Sequence, residues 1–342
     1  MSGIACAGNW VLDRSKFIKY YPEISGHTTI YKSVPSIGGG ALNALAALTK
    51  LQPDFPLHGM GLIAGETLRG KELMRLCKEE NINMDFVKSV PGQSSFTDAM
   101  ILPDGSRTQF HCPGVNDLFK PEDVSIDQLK AAKVKLFYLG HLMILAGMDA
   151  ADETYGVKSA RLLHDVQQAG IKTVIDIISN PSLSYEKLVL PALPYADYLI
   201  CNEFEAEQIT KDKIRRVHGR LSLPGLKNAA EKMLRLGVKN TVVIHSPESS
   251  YAMDCDGNQY HQNPLKIPAD CVIDTCGAGD TFCAGMLYGI HEDWDMQKCL
   301  LLASCTAGAA VTSNTNTAGI LPLADTLALA DKWPPETSNV VL

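Results

Sequence analysis

The sequence predicts an α/β fold with a doubly wound, mostly parallel sheet flanked by helices and a small β-sheet lid. Apolar runs of strand length alternate with longer segments of helical period, which is typical of parallel strands joined by crossover helices. Residues 14–36 and 84–112 break this alternation, because they contain tight turns without a helical period. The chain of 342 residues, 46% of them hydrophobic, is also longer than one hydrophobic core usually extends. We therefore expect a large domain that carries a smaller β-structure.

The alternation can be followed along the chain. It starts with the strand-like runs GIACAG and PLHGMGLIAG, each followed by a segment of helical period, GGALNALAALTKL and LRGKELMRLCKEEN. Later strands are predicted at 135–140, 172–178, 197–202 and 240–245. Later helices are predicted near 154–169, from 203 onwards and near 226–236.

These elements define the expected domains. The α/β domain covers 1–13, 37–83 and 113–330, the lid covers 14–36 and 84–112, and a C-terminal tail covers 331–342. Residues 211–225 are basic and contain proline and glycine, which indicates a solvated surface connection.

Composition narrows the possible functions. The net charge of -7 and the lack of a Lys/Arg-rich run argue against a nucleic-acid partner. The first ten residues, MSGIACAGNW, do not resemble a signal peptide, and the sequence has no run of about 18 apolar residues, so we expect no membrane association and a cytoplasmic location. None of the ten cysteines forms a C-x-x-C pair, which argues against metal ligation and favours reduced, buried thiols.

The stretch DTCGAGDTF, residues 274–282, is the strongest candidate for chemistry. Gly277, Ala278 and Gly279 let the backbone approach a ligand closely, and the helix that follows starts with unpaired N–H groups that suit a phosphoryl group. Asp280 would repel that phosphate unless it faces a substrate hydroxyl and accepts its proton. A simple helix cap is the alternative for Asp280.

A second glycine-rich stretch, GGGALNALAAL at 38–48, precedes a helix. It lacks the final glycine of the dinucleotide-binding fingerprint, and the sequence contains no G-x-x-x-x-G-K-[ST] loop. A nicotinamide oxidoreductase is therefore disfavoured, and phosphate would be held without a P-loop lysine.

Together these motifs resemble the ribokinase-like (PfkB) family of sugar kinases over nearly the full chain. Gly38, Gly39 and Asn43 match its N-terminal signature, and residues 274–282 match its signature D-T-x-G-A-G-D-x-F without a mismatch. Weaker matches are GNWVLD, the region GLIAGETLRG, the lid return SRTQFHCPGVN and the N-x-x-E element in ADYLICNEFEAEQIT.

The resemblance implies a role for each matching position. Asp280 corresponds to the catalytic base, and Gly277, Ala278 and Gly279 correspond to the anion hole. The other implied roles are sugar binding by Asp13, Gly39, Asn43, Asn116 and Arg107, nucleotide binding by Asn202, Glu205, His245 and Asn314, water-mediated Mg²⁺ binding by Glu205, and a monovalent-cation (K⁺) site at Asp274.

Taken one at a time, these residues have simpler explanations. Glu205 lies at an acidic helix start, where the helix dipole favours any carboxylate. Asn43 could cap a helix, Asp13 could open a turn, and Arg107 could solvate a lid strand. Their joint occurrence in the family's order favours the functional roles.

The sequence departs from the family pattern at one loop that matters. Relatives carry T-x-G-x-x-G after the strand that here is NTVVIH, whereas this chain has HSPESS at 245–250. Both glycines are absent, and Pro247 fixes its own φ angle, so the loop should follow a different path from that of relatives. This puts the choice of nucleotide, or the affinity for it, in doubt. Two smaller departures are Thr67 in place of an acid and DIISNPS in place of D-x-N-x-R.

The expected function is transfer of the γ-phosphate of ATP to a primary hydroxyl of a sugar or sugar derivative, with Mg²⁺ as cofactor. We also expect a homodimer whose subunits are joined through their lids. A nucleoside kinase is the alternative within the superfamily, since aromatic residues of the lid could stack on a base or merely pack. A sugar or nucleoside sensor without turnover is the alternative outside enzymes, motivated by the altered loop.

Overall fold

The computed structural model describes residues 1–216, 219–313 and 315–335. The strands are β1 (Gly3–Gly8), β2 (Val11–Ile18), β3 (Ile30–Gly38), β4 (Leu57–Ile63), β5 (Phe86–Ser89), β6 (Phe96–Ile101), β7 (Arg107–Cys112), β8 (Val134–Leu142), β9 (Ala151–Asp152), β10 (Gly156–Val157), β11 (Lys172–Ile177), β12 (Tyr198–Asn202), β13 (Thr241–Ser246), β14 (Ser249–Asp254) and β15 (Gln259–Gln262).

The helices are α1 (Gly40–Lys50), α2 (Leu68–Glu79), α3 (Ile126–Ala131), α4 (Ala146–Asp149), α5 (Lys158–Gln168), α6 (Tyr185–Leu188), α7 (Glu203–Thr210), α8 (Leu223–Arg235), α9 (Ala278–His291), α10 (Met296–Ala310), α11 (Leu323–Leu327) and α12 (Leu329–Lys332). Within the described ranges, no helix combines the length and apolar character that crossing a membrane requires.

The large sheet has nine strands in the order β15-β14-β13-β12-β11-β8-β1-β4-β5. The strands from β13 to β5 pair in parallel, and β14 and β15 add an antiparallel edge. Strand β1 shows why this sheet needs helices on both faces: Ala5 and Ala7 pack into one core and Ile4 and Cys6 into the other. The expected doubly wound fold is confirmed.

The parallel strands end at one edge of this sheet, and that edge carries the polar residues. Strand β8 ends beside His141, β11 beside Asp176, β12 at Asn202 and β13 beside His245. Ligands of open α/β sheets bind at this carboxyl edge, and it is where the candidate site lies.

The small sheet has four strands in the order β3-β2-β6-β7. Its extent differs from the predicted lid at two places. Strand β5 lies inside the predicted range 84–112 but pairs in parallel with β4 in the large sheet. The sequence did not reveal this, because the strand has only four residues and its own pattern does not indicate which strand it pairs with. Asp13 lies within lid strand β2, paired with Thr97 of β6, and not at the end of β1. Of the predicted tail, the structure describes only 331–335.

Candidate active site

Helix α9 begins where the sequence predicts an anion hole. Gly277 caps it with φ 72°, a left-handed conformation that suits glycine, and an added Cβ would lie 2.7 Å from Cβ of Asn316. Ala278 and Gly279 open the first turn, where backbone N–H groups lack intrahelical acceptors. The backbone therefore presents donors and the positive end of the helix dipole at one point.

Asp280 is the third residue of α9, and its carboxylate does not cap the helix. Its Oδ2 accepts a hydrogen bond of 2.6 Å from Nδ2 of Asn43, at the start of α1. Its Oδ1 lies 3.0 Å from Nε2 of His141, at the end of β8. The carboxylate is thus held beside the helix start by two side chains, one of which, Asn43, the sequence predicted as a sugar-binding residue.

Asp176 completes a buried polar group behind this carboxylate. Its Oδ2 lies 3.4 Å from Nε2 of His141 and accepts from the hydroxyl of Tyr138 and the thiol of Cys283, both at 3.2 Å. Burial opposes ionisation of Asp176, but the charge and hydrogen bond of His141 outweigh it and hold the pKa of Asp176 below its usual value. Burial likewise disfavours the charged imidazole, yet Asp176 and Asp280 raise the pKa of His141 well above its usual value.

Asp13 faces the same region from the lid. Its carboxylate fills the space beside Gly38, where an added Cβ would lie 2.1 Å from Oδ2. Burial raises the pKa of Asp13 to about 7; a hydrogen bond from Thr97 opposes this shift and the charge of Asp280 adds to it.

Arg107 joins the lid to the loop that precedes α9. Its guanidinium pairs with Oδ1 of Asp274, and two residues along β7 the amide of Gln109 lies 3.7 Å from the thiol of Cys276. Residues 107 and 109 share one face of the strand, so this face of the lid is closed against residues 274–276. Burial raises the pKa of Cys276 to about 11, which leaves it protonated and unreactive at neutral pH.

Glu205 and Asn202 bond mainly to each other. The Asn202 side chain accepts from the backbone N–H of Glu205 at 2.9 Å, and Oε2 of Glu205 accepts from the backbone N–H of Asn202 at 2.9 Å. Oε1 accepts from Nδ2 of Asn202 and from the hydroxyl of Ser179. This capping box fixes the start of α7. Burial, with a smaller effect from Asp176, raises the pKa of Glu205 to about 8.

Two cavities meet at Gly279. The smaller, of about 200 Å³, is lined by His141, Asp176, Glu205 and Asp280. The larger, of about 590 Å³, runs beside Phe282 between the 246–249 turn and α10, and its walls are largely apolar. Their shared edge is the start of α9.

His245 lies between these cavities. Its ring packs on Phe282 with a centroid distance of 4.9 Å, and burial lowers the pKa of His245. Asn314, predicted at the nucleotide, lies outside the described residues.

The departure HSPESS forms a tight turn between β13 and β14 and is held by Arg215. The guanidinium donates to both carboxylate oxygens of Glu248, at 2.8 and 2.9 Å, and to Glu203 at 2.5 Å. Segment 211–225 was expected to be a solvated connection; instead, one of its arginines is bound against the rim of the larger cavity. Sequence alone could not pair two residues 33 positions apart.

Asn116 is buried and supports the chain that leads to Asp13. Its Oδ1 accepts from the backbone N–H of Trp10 at 3.2 Å, and its Nδ2 donates to the carbonyl of Trp10 at 3.1 Å. The amide therefore faces the backbone between β1 and β2, and both its ends are in use. Asn43 differs, because its Oδ1 is buried without a hydrogen-bond partner among the described residues.

The structure therefore brings Asp13, Gly39, Asn43 and Asp280 to one place and puts Asn202 and Glu205 next to it. It adds His141, which lies in none of the quoted motifs, and Asp176, which entered the sequence analysis only as the first residue of the departing segment DIISNPS. The available signal was their position: each polar residue ends a buried strand of the parallel sheet.

Comparison with known proteins identifies the family. The family model described as pfkB family carbohydrate kinase matches residues 17–322. Arabidopsis thaliana ribokinase is 25% identical over 290 residues, 84% of this chain and 70% of that protein. The ATP-dependent ribose-1-phosphate kinase of Halopiger xanaduensis is 24% identical over 334 residues, 96% of this chain and 97% of that protein.

The structure of Arabidopsis thaliana ribokinase complexed with ribose and ATP matches with a TM-score of 0.79 at 22% identity, covering 96% of this chain and 98% of that one. The chain belongs to the pfkB family of carbohydrate kinases, as the sequence motifs predicted. It is a phosphotransferase that acts on sugars.

The raised pKa of Asp13 makes a prediction about stability. An acid whose folded pKa lies near 7 and whose ordinary value is 3.8 favours folding less as pH rises between those values, because the unfolded chain releases the proton more readily. We expect Asp13→Asn to match wild type near pH 4 and to exceed it at pH 8 by about 1 to 3 kcal/mol in free energy of unfolding. Urea denaturation at both pH values measures this. A variant less stable than wild type at pH 8 would contradict the assigned burial.

Proposed function

We propose that this enzyme transfers the γ-phosphate of ATP to a hydroxyl, preferably a primary one, of a monosaccharide or sugar derivative. The observation that supports this most is the placement of Asp280 in the first turn of α9, directly beside the anion hole and held by Asn43 and His141. A carboxylate at that point serves the acceptor hydroxyl, while the backbone donors serve the phosphoryl group.

In this mechanism the substrate hydroxyl donates its proton to Asp280 as its oxygen attacks the γ-phosphorus of ATP, and the bond from that phosphorus to the bridging oxygen breaks to release ADP. The backbone N–H groups at residues 277–279 stabilise the negative charge on the transferred group. Asp13, Gly39 and the unpartnered Oδ1 of Asn43 hold the other sugar hydroxyls. Asn116 contributes through the backbone of Trp10, by holding the chain that carries Asp13.

ATP would occupy the larger cavity, with its phosphates directed toward Gly279. The apolar walls, including Leu265, Ile267 and Phe282, suit a purine ring. Asn202 and His245 lie where this cavity meets the smaller one, and there they would contact the phosphate chain.

Mg²⁺ fits the smaller cavity. Oε2 of Glu205 accepts one protein hydrogen bond and keeps a lone pair, whereas Oε1 accepts two. This favours contact through water, which Mg²⁺ usually retains. When bound, the ion neutralises charge on the phosphate oxygens. K⁺ fits Asp274 less well, because the guanidinium of Arg107 already pairs with that carboxylate.

Removal of the base tests the mechanism. General-base catalysis contributes roughly 10² to 10⁴ in rate, so we expect Asp280→Asn to lower kcat by at least about a hundredfold. The amide keeps the shape, and sugar binding measured by calorimetry should remain. ADP release under saturating sugar and ATP gives kcat. A variant that retains more than about a tenth of wild-type kcat would overturn the assignment of the base.

The substrate requires a screen of wild type. ADP release should be measured with ketohexoses, aldopentoses, sugar acids, fructose phosphates and nucleosides. Turnover with a monosaccharide supports the proposal, turnover with nucleosides alone favours the nucleoside kinase, and sugar binding without ADP release or ATP binding favours a sensor.

Arg215 tests the altered loop at the nucleotide cavity. Arg215→Ala would leave Glu203 and Glu248 without their cation at the rim and free the 246–249 turn, which should weaken binding of the polyanionic nucleotide. We expect KM for ATP to rise about threefold to tenfold, equivalent to roughly 1 kcal/mol, with kcat changed less than about twofold. The matched control is Arg216→Ala, one residue along and exposed. An unchanged KM for ATP in Arg215→Ala would show that the 246–249 turn does not contribute to nucleotide binding.

The lid offers a surface for a homodimer. Its edge strand β7 is exposed along most of its length, and apolar side chains stand free on the lid: Tyr20, Ile24 and Tyr31 are 58%, 98% and 55% exposed. Uncovered strand edges favour pairing. We expect sedimentation at micromolar concentration to give a dimer and Phe110→Lys, in the exposed strand β7, to shift it toward monomer. A monomeric wild type would contradict this assembly.

A further inference from the structure

His141 contacts the proposed base without belonging to any motif of the sequence. Its Nε2 lies 3.0 Å from Oδ1 of Asp280 and 3.4 Å from Oδ2 of Asp176. Both acceptors are carboxylate oxygens, so Nε2 carries the proton and donates. We infer that His141 is a positioning residue that fixes the carboxylate of Asp280 for catalysis. The inference rests on the proposed role of Asp280 as the base.

Two donors hold Asp280 from two different elements. Asn43 reaches Oδ2 from α1, and His141 reaches Oδ1 from the end of β8. Each carboxylate oxygen has two lone pairs, so acceptor capacity remains for the substrate hydroxyl. Rotation of the carboxylate would break one bond or the other. A base fixed in this way needs no reorganisation when substrate arrives.

His141 is itself fixed by its surroundings. Asp176 receives the same Nε2, and Tyr138 and Cys283 donate to Asp176 from β8 and α9. Nδ1 of His141 is buried and has no hydrogen-bond partner among the described residues. The ring orientation therefore depends on the two carboxylates and on the atoms that pack against it.

Gly40 supplies the packing surface. A Cβ at this position would lie 2.3 Å from Cε1, 2.5 Å from Nε2 and 2.7 Å from Nδ1 of His141. Gly40 is the first residue of α1 and is not among the positive-φ glycines, so its backbone conformation does not require glycine. The requirement comes from the imidazole ring of His141, which leaves no room for a Cβ atom. Gly40 also follows the two glycines of the family signature and is not one of them, which ties this third glycine to His141.

This arrangement allows a double-mutant cycle with a sharp expectation. His141→Ala removes the donor. Gly40→Ala keeps the imidazole but pushes its ring away from Asp280. The combination Gly40→Ala with His141→Ala places the new Cβ in space that the ring has vacated. His141→Gln restores a donor near the position of Nε2. We propose to measure kcat and KM for ATP and sugar in all four variants.

We expect His141→Ala to lower kcat about tenfold to a hundredfold, the usual range for a hydrogen bond to a charged group, with KM for ATP within about twofold. Gly40→Ala should lower kcat at least about fivefold, and in the His141→Ala background it should change kcat less than about twofold. His141→Gln should recover part of the loss. Thermal unfolding checks that each variant folds. His58→Ala is the matched control, since His58 packs on Phe86 in β5, away from Asp280.

The outcomes separate the inference from the proposed function. Wild type that phosphorylates a sugar while His141→Ala keeps full kcat would overturn the inference and leave the function standing. If Gly40→Ala lowers kcat equally in wild type and in His141→Ala, the inference would also be overturned, because the loss would then not depend on the imidazole ring. Wild type that releases no ADP with any acceptor would overturn the function and, with it, the role of His141.

Discussion

The site depends on one constraint: acidic side chains converge at the carboxyl edge of a buried sheet, and each needs a donor to remain there. A buried carboxylate without a hydrogen bond is costly. The structure meets this need with partners from separate elements. The pairs are Asp280 with Asn43 and His141, Asp176 with Tyr138 and Cys283, Glu205 with Asn202 and Ser179, and Asp274 with Arg107. The need for donors therefore ties helices, strands and lid to one edge.

This network separates groups that hold structure from groups that remain available to ligands. Glu205 accepts three hydrogen bonds from the protein, and Asn116 bonds to the backbone of Trp10 through both its side-chain oxygen and its nitrogen. Among the described residues, Asn43 keeps a buried oxygen without a hydrogen-bond partner, and burial raises the pKa of Asp13 to about 7. Nδ2 of Asn43 bonds to Asp280, and the charge of Asp280 acts on Asp13. A hydroxyl-bearing ligand, as proposed, would supply a donor to the free oxygen of Asn43.

Sequence reasoning reached the fold, the family and the start of α9, because these depend on periodicity and on contiguous residues such as 274–282. It did not reach contacts between distant strands. His141 and Asp280 are 139 positions apart, and Arg215 and Glu248 belong to segments that looked unrelated. It also placed β5 in the lid, since pairing partners of a four-residue strand are set by the sheet and not by the strand itself. Tertiary pairing is the common reason for these differences.

The contact of Arg107 with Asp274 has a kinetic meaning. The Arg107–Asp274 pair and the Gln109–Cys276 contact join this face of the lid to the loop before α9. If a ligand enters beneath the lid, as the proposed function requires, these contacts have to part first. The association rate and the apparent affinity would then scale with the fraction of molecules in which they have parted. The strength of one ion pair would thereby affect how quickly the proposed kinase responds when its substrate becomes scarce.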